Sequence, residues 1–215
     1  MTYILNKNSS IIVDNLIETI IDNTEYLSEI DGAIGDGDHG INMNKGFSLC
    51  KARLADKEVD LAEALKTLGL VLMMEIGGSM GPLYGTFFVE MSKVINDKKE
   101  IDKYLFSKMI NAAKKGIQSL GNAKVGDKTM MDTLVPAVET FDQEISRGKS
   151  FVEAMEAMKS AAEKGKDSTI DLVAKIGRAS RLGERSRGVL DAGAVSCYLI
   201  LACIIDSSIE LIKDM

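Results

Sequence analysis

Three aspartates lie close together in the segment Asp31-Gly-Ala-Ile-Gly-Asp36-Gly-Asp38-His39-Gly40. The glycines between them permit tight or left-handed turns, so the three carboxylates can converge. Converging negative charge requires a cation, and hard carboxylate oxygens suit magnesium or calcium. A calcium EF-hand starting at Asp36 would need glycine and glutamate where this chain has Ile41 and Phe47. The segment therefore favours magnesium shared with phosphate, with simple helix capping by Asp36 or Asp38 as the alternative.

The single histidine, His39, follows the last of these aspartates. It could accept a phosphoryl group, act as a general base, or serve as a neutral donor to phosphate or ribose at the start of a helix. We favour the neutral donor, because a metal-bound nucleotide already supplies the phosphoryl group.

A second segment, Gly77-Gly78-Ser79-Met80-Gly81-Pro82, lies between two helical patterns, with Pro82 in a first-turn position. Free backbone N–H groups at the start of a helix bind anions, because the donors and the helix dipole point the same way. The segment is neither a Walker loop nor a dinucleotide fingerprint. Close helix packing at Gly77 and Gly78 would explain the glycines equally well.

A third segment concentrates four arginines between Gly177 and Arg187 in an otherwise acidic chain. Guanidinium groups match phosphate oxygens and stabilise charge during phosphoryl transfer. The alternative is a solvated turn whose arginines pair with surface acids. Gly121 and the run 126–130 open a further helix, where capping by Asp127 and burial of Met130 are the simplest interpretations.

Composition limits the class of protein. The chain has 215 residues, 46% of them hydrophobic and 27% charged, which predicts one globular domain, 1–215. The net charge of −6 argues against general affinity for nucleic acid or for anionic membranes. The N-terminal residues do not resemble a signal peptide, so we expect a cytoplasmic protein. The apolar run Ala194 to Ile205 is too short to span a bilayer and predicts a buried helix.

Apolar residues recur at helical spacing along nearly the whole chain, and no stretch alternates like a strand. The pattern predicts an all-α fold. Capping boxes are expected at Ser150 with Glu153 and at Ser168 with Asp171, and simple N-caps at Asp60, Asp127 and Asp191. The expected helices are 10–29, 40–55, 60–76, 82–96, 101–120, 128–146, 151–165, 168–177 and 191–213.

Four motifs together resemble the L subunit of bacterial dihydroxyacetone kinases. They are GDGDHG at 35–40, GPLYGTFF at 81–88, GDKTM at 126–130 and GRASRLGERS at 177–186. Each motif is common alone, whereas their order and spacing are specific. The resemblance implies a single-domain antiparallel barrel of eight helices with a nucleotide bound at one end.

The resemblance also implies a set of site residues and cofactors. Asp31, Asp36 and Asp38 would ligate two Mg²⁺ ions that bridge the phosphates of ADP or ATP, and Arg178 would act in catalysis as well as in nucleotide binding. The other nucleotide-binding residues would be His39, Gly40, Ile41, Asn42, Ser79, Met80, Gly121, Met130, Asp191, Ala192 and Gly193. Met80 stands where serine is common and Ala192 where proline is common, so one hydroxyl contact is missing and one turn is looser.

The resemblance further implies partner proteins. A separate K subunit would bind dihydroxyacetone, and a phosphohistidine-carrying M subunit would rephosphorylate ADP that stays bound as a coenzyme. Two alternatives remain open: an ADP-dependent regulatory protein that binds a transcription factor, and the nucleotide domain of a kinase for another small alcohol or a fatty acid. A homodimer is also left open.

Overall fold

The computed structural model describes residues 2–213, and most of these are helical. The described helices are α1 (Ile11–Asp22), α2 (Thr24–Ile34), α3 (His39–Leu54), α4 (Leu61–Glu75), α5 (Met80–Ile95), α6 (Lys103–Leu120), α7 (Met131–Ser146), α8 (Phe151–Ser168) and α9 (Ala192–Lys213). Two short strands, β1 (Tyr3–Leu5) and β2 (Glu100–Asp102), form an antiparallel ribbon. The all-α prediction is confirmed, but the ribbon was missed because three residues are too few to show strand alternation.

Eight of these helices form a closed ring. The order around the ring is α1, α3, α4, α5, α6, α7, α8 and α9. Each helix packs on the next, and α9 packs back on α1. Neighbours run antiparallel: Lys159 of α8 pairs with Asp206 of α9, while Lys166 lies over the ring of Tyr198. This is the antiparallel eight-helix barrel that the resemblance implies. The remaining helix, α2, packs against α3 and α9.

The ring encloses one large apolar core. Phe106, Phe141 and Phe151 form an aromatic cluster whose ring centroids are 5.1 to 6.2 Å apart. Burial of each such side chain contributes about 1.5–3 kcal/mol of transfer free energy. The helical spacing of Leu61, Leu65, Leu68 and Leu72 indicated core positions correctly, since all four are buried.

The antiparallel order brings the functional connections together at one end of the ring. The helices α3, α5, α7 and α9 begin there, and α4, α6 and α8 end there. We call it the loop end, formed by residues 35–40, 76–80, 121–130 and 169–191. The ribbon lies where α6 begins, at the other end, which we call the ribbon end.

Several predicted helix starts are confirmed. Asp60 accepts a hydrogen bond from the Glu63 backbone N–H at 2.8 Å. Ser150 and Glu153 form the expected capping box. The Asp191 carboxylate accepts from the Ala194 N–H at 2.7 Å, which caps the first turn of α9.

Two predicted helices are wrong at their ends or throughout. The span 10–29 is two helices, because Asn23 and Thr24 donate side-chain hydrogen bonds to the last carbonyls of α1 and so end it. The span 168–177 contains only a 3-10 turn at Thr169–Asp171. Ser168 donates to the Gly165 carbonyl instead of capping a new helix.

The predicted start of α7 is also corrected. Helix α7 begins at Met131 rather than at residue 128, and Asp127 is not its N-cap. The Asp127 carboxylate instead accepts from the Lys124 N–H within the preceding loop, at 3.0 Å.

Helix α9 includes the apolar run expected to be buried. By length and composition Ala192–Ile212 could cross a membrane, but 56% of its most apolar 18-residue stretch is buried inside the protein. Core helices of globular proteins pass the same test.

Candidate metal and phosphate site

The three aspartates of the first motif lie together at the loop end. Asp31 is in the last turn of α2, Asp36 lies in the connection to α3, and Asp38 directly precedes α3. One carboxylate oxygen from each lies within 4.8 Å of the other two. Asp36 and Asp38 are nearly half exposed, with side-chain exposures of 46% and 45%. The cluster therefore has oxygen ligands open to solvent.

The glycines of this connection are required by its geometry. A Cβ on Gly35 would lie 2.3 Å from Asp31 Oδ1, and Gly37 has the left-handed φ of +76°. The His39 backbone N–H donates to Asp31 Oδ2 at 3.3 Å, which ties the start of α3 to the end of α2. The turn thus folds Asp36 and Asp38 back toward Asp31.

Arg178 lies against this acidic cluster. Its Nη1 contacts the Asp36 carboxylate and is 3.5 Å from Asp38 Oδ2. Its own segment, Arg178–Ser186, consists of 3-10 turns with a break at Gly183. Arg187 fits the simpler alternative, since it pairs with Glu184 on the surface at 3.1 Å. Of the arginine-rich segment, Arg178 is therefore the residue that meets the carboxylates.

The side chain of His39 is hydrogen-bonded to α9. Its Nε2 is 2.8 Å from Ser196 Oγ, which is in turn 2.6 Å from the hydroxyl of Tyr84. Burial lowers the pKa of His39 to about 4, although Asp31 acts in the opposite direction. The ring is therefore neutral at neutral pH, as expected. Its Nε2 is engaged in the core, so that atom does not face a ligand at the loop end.

The glycine-rich segment forms an open turn before α5. Ser79 is exposed and directly precedes the helix, and Met80 packs partly against the core. A Cβ on Gly77 or Gly78 would meet nothing within 4 Å, so the packing explanation for these two glycines is wrong. Gly81 does need to be small, because its Cβ would lie 2.3 Å from the Ile76 carbonyl.

The start of α9 lies beside the start of α7. A Cβ on Gly193 would lie 3.0 Å from Asp191 Oδ2 and 3.5 Å from the Met130 backbone nitrogen. Met130 and Ala192 are buried, with 5% and 6% exposure. Burial raises the pKa of Asp191 to about 7, while the Ala194 N–H and then Lys128 act to lower it.

The remaining predicted nucleotide residues lie around the same end. Gly40 packs against α2, since its Cβ would lie 2.0 Å from the Thr24 carbonyl. Ile41 is 62% exposed on the first turn of α3, and Asn42 is half-buried. Gly121 follows the last residue of α6 with open space around it. The predicted site residues therefore lie in the loop end or in the helix turns that adjoin it.

Sequence reasoning missed several residues that organise this end. Asp132 is buried and accepts from the Gly126 and Thr129 N–H groups at 2.5 and 2.7 Å. Lys128 is 1% exposed with its ammonium bound to backbone carbonyls. The signal for Lys128 is weak, since a lysine in a polar loop is normally solvated. Ser196 had a clearer signal, as the one polar residue in the run Ala194 to Ile205.

Comparison with known proteins places the chain in a family. The DAK2 domain family matches residues 33–206. The ADP-binding subunit DhaL of a PEP-dependent dihydroxyacetone kinase from Listeria innocua is 40% identical over 90% of this chain and 92% of its own. The corresponding Escherichia coli subunit is 41% identical over 83% of this chain and 85% of its own.

A solved structure shares the fold at lower identity. The dihydroxyacetone kinase of C. freundii, in complex with AMP-PNP and Mg²⁺, superposes with a TM-score of 0.66 and 22% identity. The match covers 93% of this chain and 33% of that one. This chain therefore belongs to the DAK2 domain family, together with the ADP-binding L subunits of the dihydroxyacetone kinases.

Proposed function

We propose that this chain is the ADP-binding subunit of a dihydroxyacetone kinase that draws its phosphoryl group from phosphoenolpyruvate. Bound ADP accepts the phosphoryl group from a phosphohistidine M subunit, and the group then passes to dihydroxyacetone on a K subunit. Relatives of nearly equal length are named as ADP-binding subunits of PEP-dependent dihydroxyacetone kinases, which supports the first part of the proposal. The observation that carries the proposal is the convergence of three carboxylates within 4.8 Å, next to Arg178.

The donor set fits magnesium. The cluster offers only oxygen ligands from three aspartates, all within reach of one ion, and two of the three are open to solvent. Magnesium prefers a few carboxylates with its other positions filled by water and phosphate. Asp31, Asp36 and Asp38 would hold it, and we propose two ions shared with the nucleotide phosphates. When bound, magnesium would neutralise phosphate charge.

The side chains around the cluster suit phosphoryl transfer. Arg178 is exposed on a segment bounded by glycines and can offer its guanidinium to phosphate oxygens, where it would stabilise charge in the transition state. Free N–H groups at the start of α5, at Ser79 and Met80, can orient phosphate. His39 holds the start of α3 against α9 through Ser196.

The other nucleotide contacts belong to the same proposal. They are His39, Gly40, Ile41, Asn42, Gly121, Met130, Asp191, Ala192 and Gly193. The exposed apolar side chain of Ile41 and the buried Met130 suit the faces of an adenine ring better than its phosphates. A cytoplasmic location follows from the same role.

Calorimetry of Mg–ADP binding tests the site. Asp36→Asn removes a charged ligand while keeping the shape of the side chain, so we expect it to weaken binding by at least about tenfold, as charged hydrogen-bonding groups usually do. Asp97→Asn is the matched control, because Asp97 is an exposed aspartate in the turn between α5 and β2. Equal affinities for Asp36→Asn and the wild type would move the metal to another site.

The phosphoryl source distinguishes the proposed enzyme from a regulatory protein. The ADP-loaded chain is mixed with a phosphohistidine donor protein fed by phosphoenolpyruvate, and the bound nucleotide is recovered. We expect ADP to become ATP, and dihydroxyacetone phosphate to form once a K subunit is added. Bound ADP that never gains phosphate would support the regulatory alternative instead.

A further inference from the structure

The amine of Lys128 is buried beneath the loop end, where it joins three segments. Lys128 is 1% exposed. Its ammonium donates to the Thr169 carbonyl and, at 2.5 Å, to the Val189 carbonyl. Burial lowers the pKa of Lys128, whereas the Asp191 carboxylate and, more weakly, Asp132 favour its charged form. Lys128 therefore links the loop before α7 to the turn after α8 and to the segment before α9.

The side chain of Thr169 forms further hydrogen bonds between the same segments. Its hydroxyl accepts from the Asp191 backbone N–H at 3.1 Å and donates to the Lys166 carbonyl at 2.7 Å. The residue is fully buried. The following residue, Ile170, accepts from the Gly188 N–H at 2.8 Å. The segment 187–191 is thus held to the end of α8 by side-chain and backbone hydrogen bonds.

The backbone of Lys128 has an unusual conformation that these bonds must stabilise. Its φ is +62°, in the left-handed region that a residue other than glycine rarely adopts. Such strain persists only where surrounding contacts fix it, and it is concentrated at functional sites. A lysine at this position is explained by the two carbonyls it reaches, because a smaller residue would leave both of them without this donor.

We propose that Lys128 and Thr169 are positioning residues of the nucleotide site, which fix the start of α9 against the start of α7. Met130 follows Lys128 by two residues, and Asp191 follows Val189 by two, so the contact sets the distance between Met130 and Gly193. Neither positioning side chain needs to touch the nucleotide. The inference rests on the proposed function, since Met130 and Asp191 to Gly193 are assigned to nucleotide there.

Binding measurements on four variants, made alongside Asp36→Asn, test this role. Lys128→Met keeps the length of the side chain and removes its ammonium. Thr169→Val removes the hydroxyl that accepts from Asp191, whereas Thr169→Ser keeps it. Leu65→Ala is the stability control, because Leu65 is buried near the start of α4, at the ribbon end. Each variant is measured for unfolding, for Mg–ADP affinity, and for binding of Mn²⁺ alone.

We expect Lys128→Met and Thr169→Val to weaken Mg–ADP binding by about tenfold or more, while Mn²⁺ binding at the aspartates stays within about twofold of wild type. Thr169→Ser should bind the nucleotide like wild type, because it keeps the hydroxyl. Leu65→Ala should lower stability without changing either affinity. This pattern separates positioning from a general loss of structure.

The proposal is overturned if both variants bind Mg–ADP like wild type, or if they lose affinity only in proportion to stability. Should Lys128→Met not fold, the Thr169→Val and Thr169→Ser pair decides. Asp36→Asn is included to separate the two proposals. If Asp36→Asn loses affinity while Lys128→Met and Thr169→Val keep theirs, only the positioning role fails. If the wild type binds no Mg–ADP, the proposed function fails and the positioning role fails with it.

Discussion

At the scale of single residues, the site depends on polar groups placed inside an apolar barrel. His39, Ser196 and Tyr84 form a buried chain, with the Tyr84 hydroxyl also donating to the Gly193 carbonyl at 3.1 Å. Burying a polar group costs free energy unless the group is hydrogen-bonded. Here the hydrogen bonds also join the starts of α3 and α9 to α5. The chain of bonds fixes the relative position of two helices whose first residues we assign to nucleotide.

Protonation of His39 is expected to destabilise the fold in mild acid. Its pKa is lowered from 6.5 to about 4 by burial, so below pH 6.5 the unfolded chain takes up a proton that the native protein does not. Stability from this residue is therefore complete above pH 6.5 and is lost as the pH falls toward 4. The shift corresponds to at most about 3 kcal/mol at 1.36 kcal/mol per pKa unit.

Urea unfolding of wild type and His39→Gln from pH 4 to 7 measures this effect. Because glutamine does not titrate, the difference between the two free energies of unfolding isolates the histidine from the carboxylates that titrate in the same range. We expect the wild type to lose its advantage as the pH falls. A difference that is constant across this range would mean that His39 titrates like an exposed histidine.

At the scale of elements, helix positions follow from the sequence better than helix ends. The spacing of apolar residues correctly predicted the buried faces of α4 and α6, and capping residues correctly predicted where α4, α8 and α9 begin. The break at Asn23 was missed because the apolar pattern continues through it, while the side chains of Asn23 and Thr24 bond the free carbonyls of α1. The spacing of apolar residues indicates which face of a helix is buried, but it does not indicate the residue at which the helix ends.

The false helix at 168–177 has a related cause. Ser168 and Asp171 have the spacing of a capping box, but the Ser168 hydroxyl donates backward to Gly165. The chain then leaves helical geometry so that Ala174 can donate its N–H to the Ser186 hydroxyl at 2.9 Å. Such contacts join residues twelve positions apart in a loop and leave no periodic trace in the sequence. The same holds for Lys128, whose partners follow it by 41 and 61 positions.

At the scale of the whole molecule, the antiparallel ring explains why the sequence indicated site residues before it indicated their arrangement. Alternating helices return every second connection to the same end, so motifs far apart in the chain meet at the loop end. The aspartate, glycine and arginine motifs could each be recognised from residue types. Their convergence could not, because the order of helices around a ring depends on which faces pack together.

This arrangement predicts that ligand binding protects only one end of the protein. Hydrogen exchange would be compared with Mg–ADP, with ADP and EDTA, and without nucleotide. We expect Mg–ADP to slow exchange in the loop end and in the first turns of the helices that begin there, at 35–42, 77–81, 126–131 and 188–194. Bound ligand raises the free energy of local opening in these segments. EDTA should abolish the protection, since the aspartates would then repel the diphosphate.

The ribbon of β1 and β2 is the internal control and should exchange equally in all three samples. Protection that spreads evenly over both ends, or that survives EDTA, would contradict a metal-dependent site at the loop end.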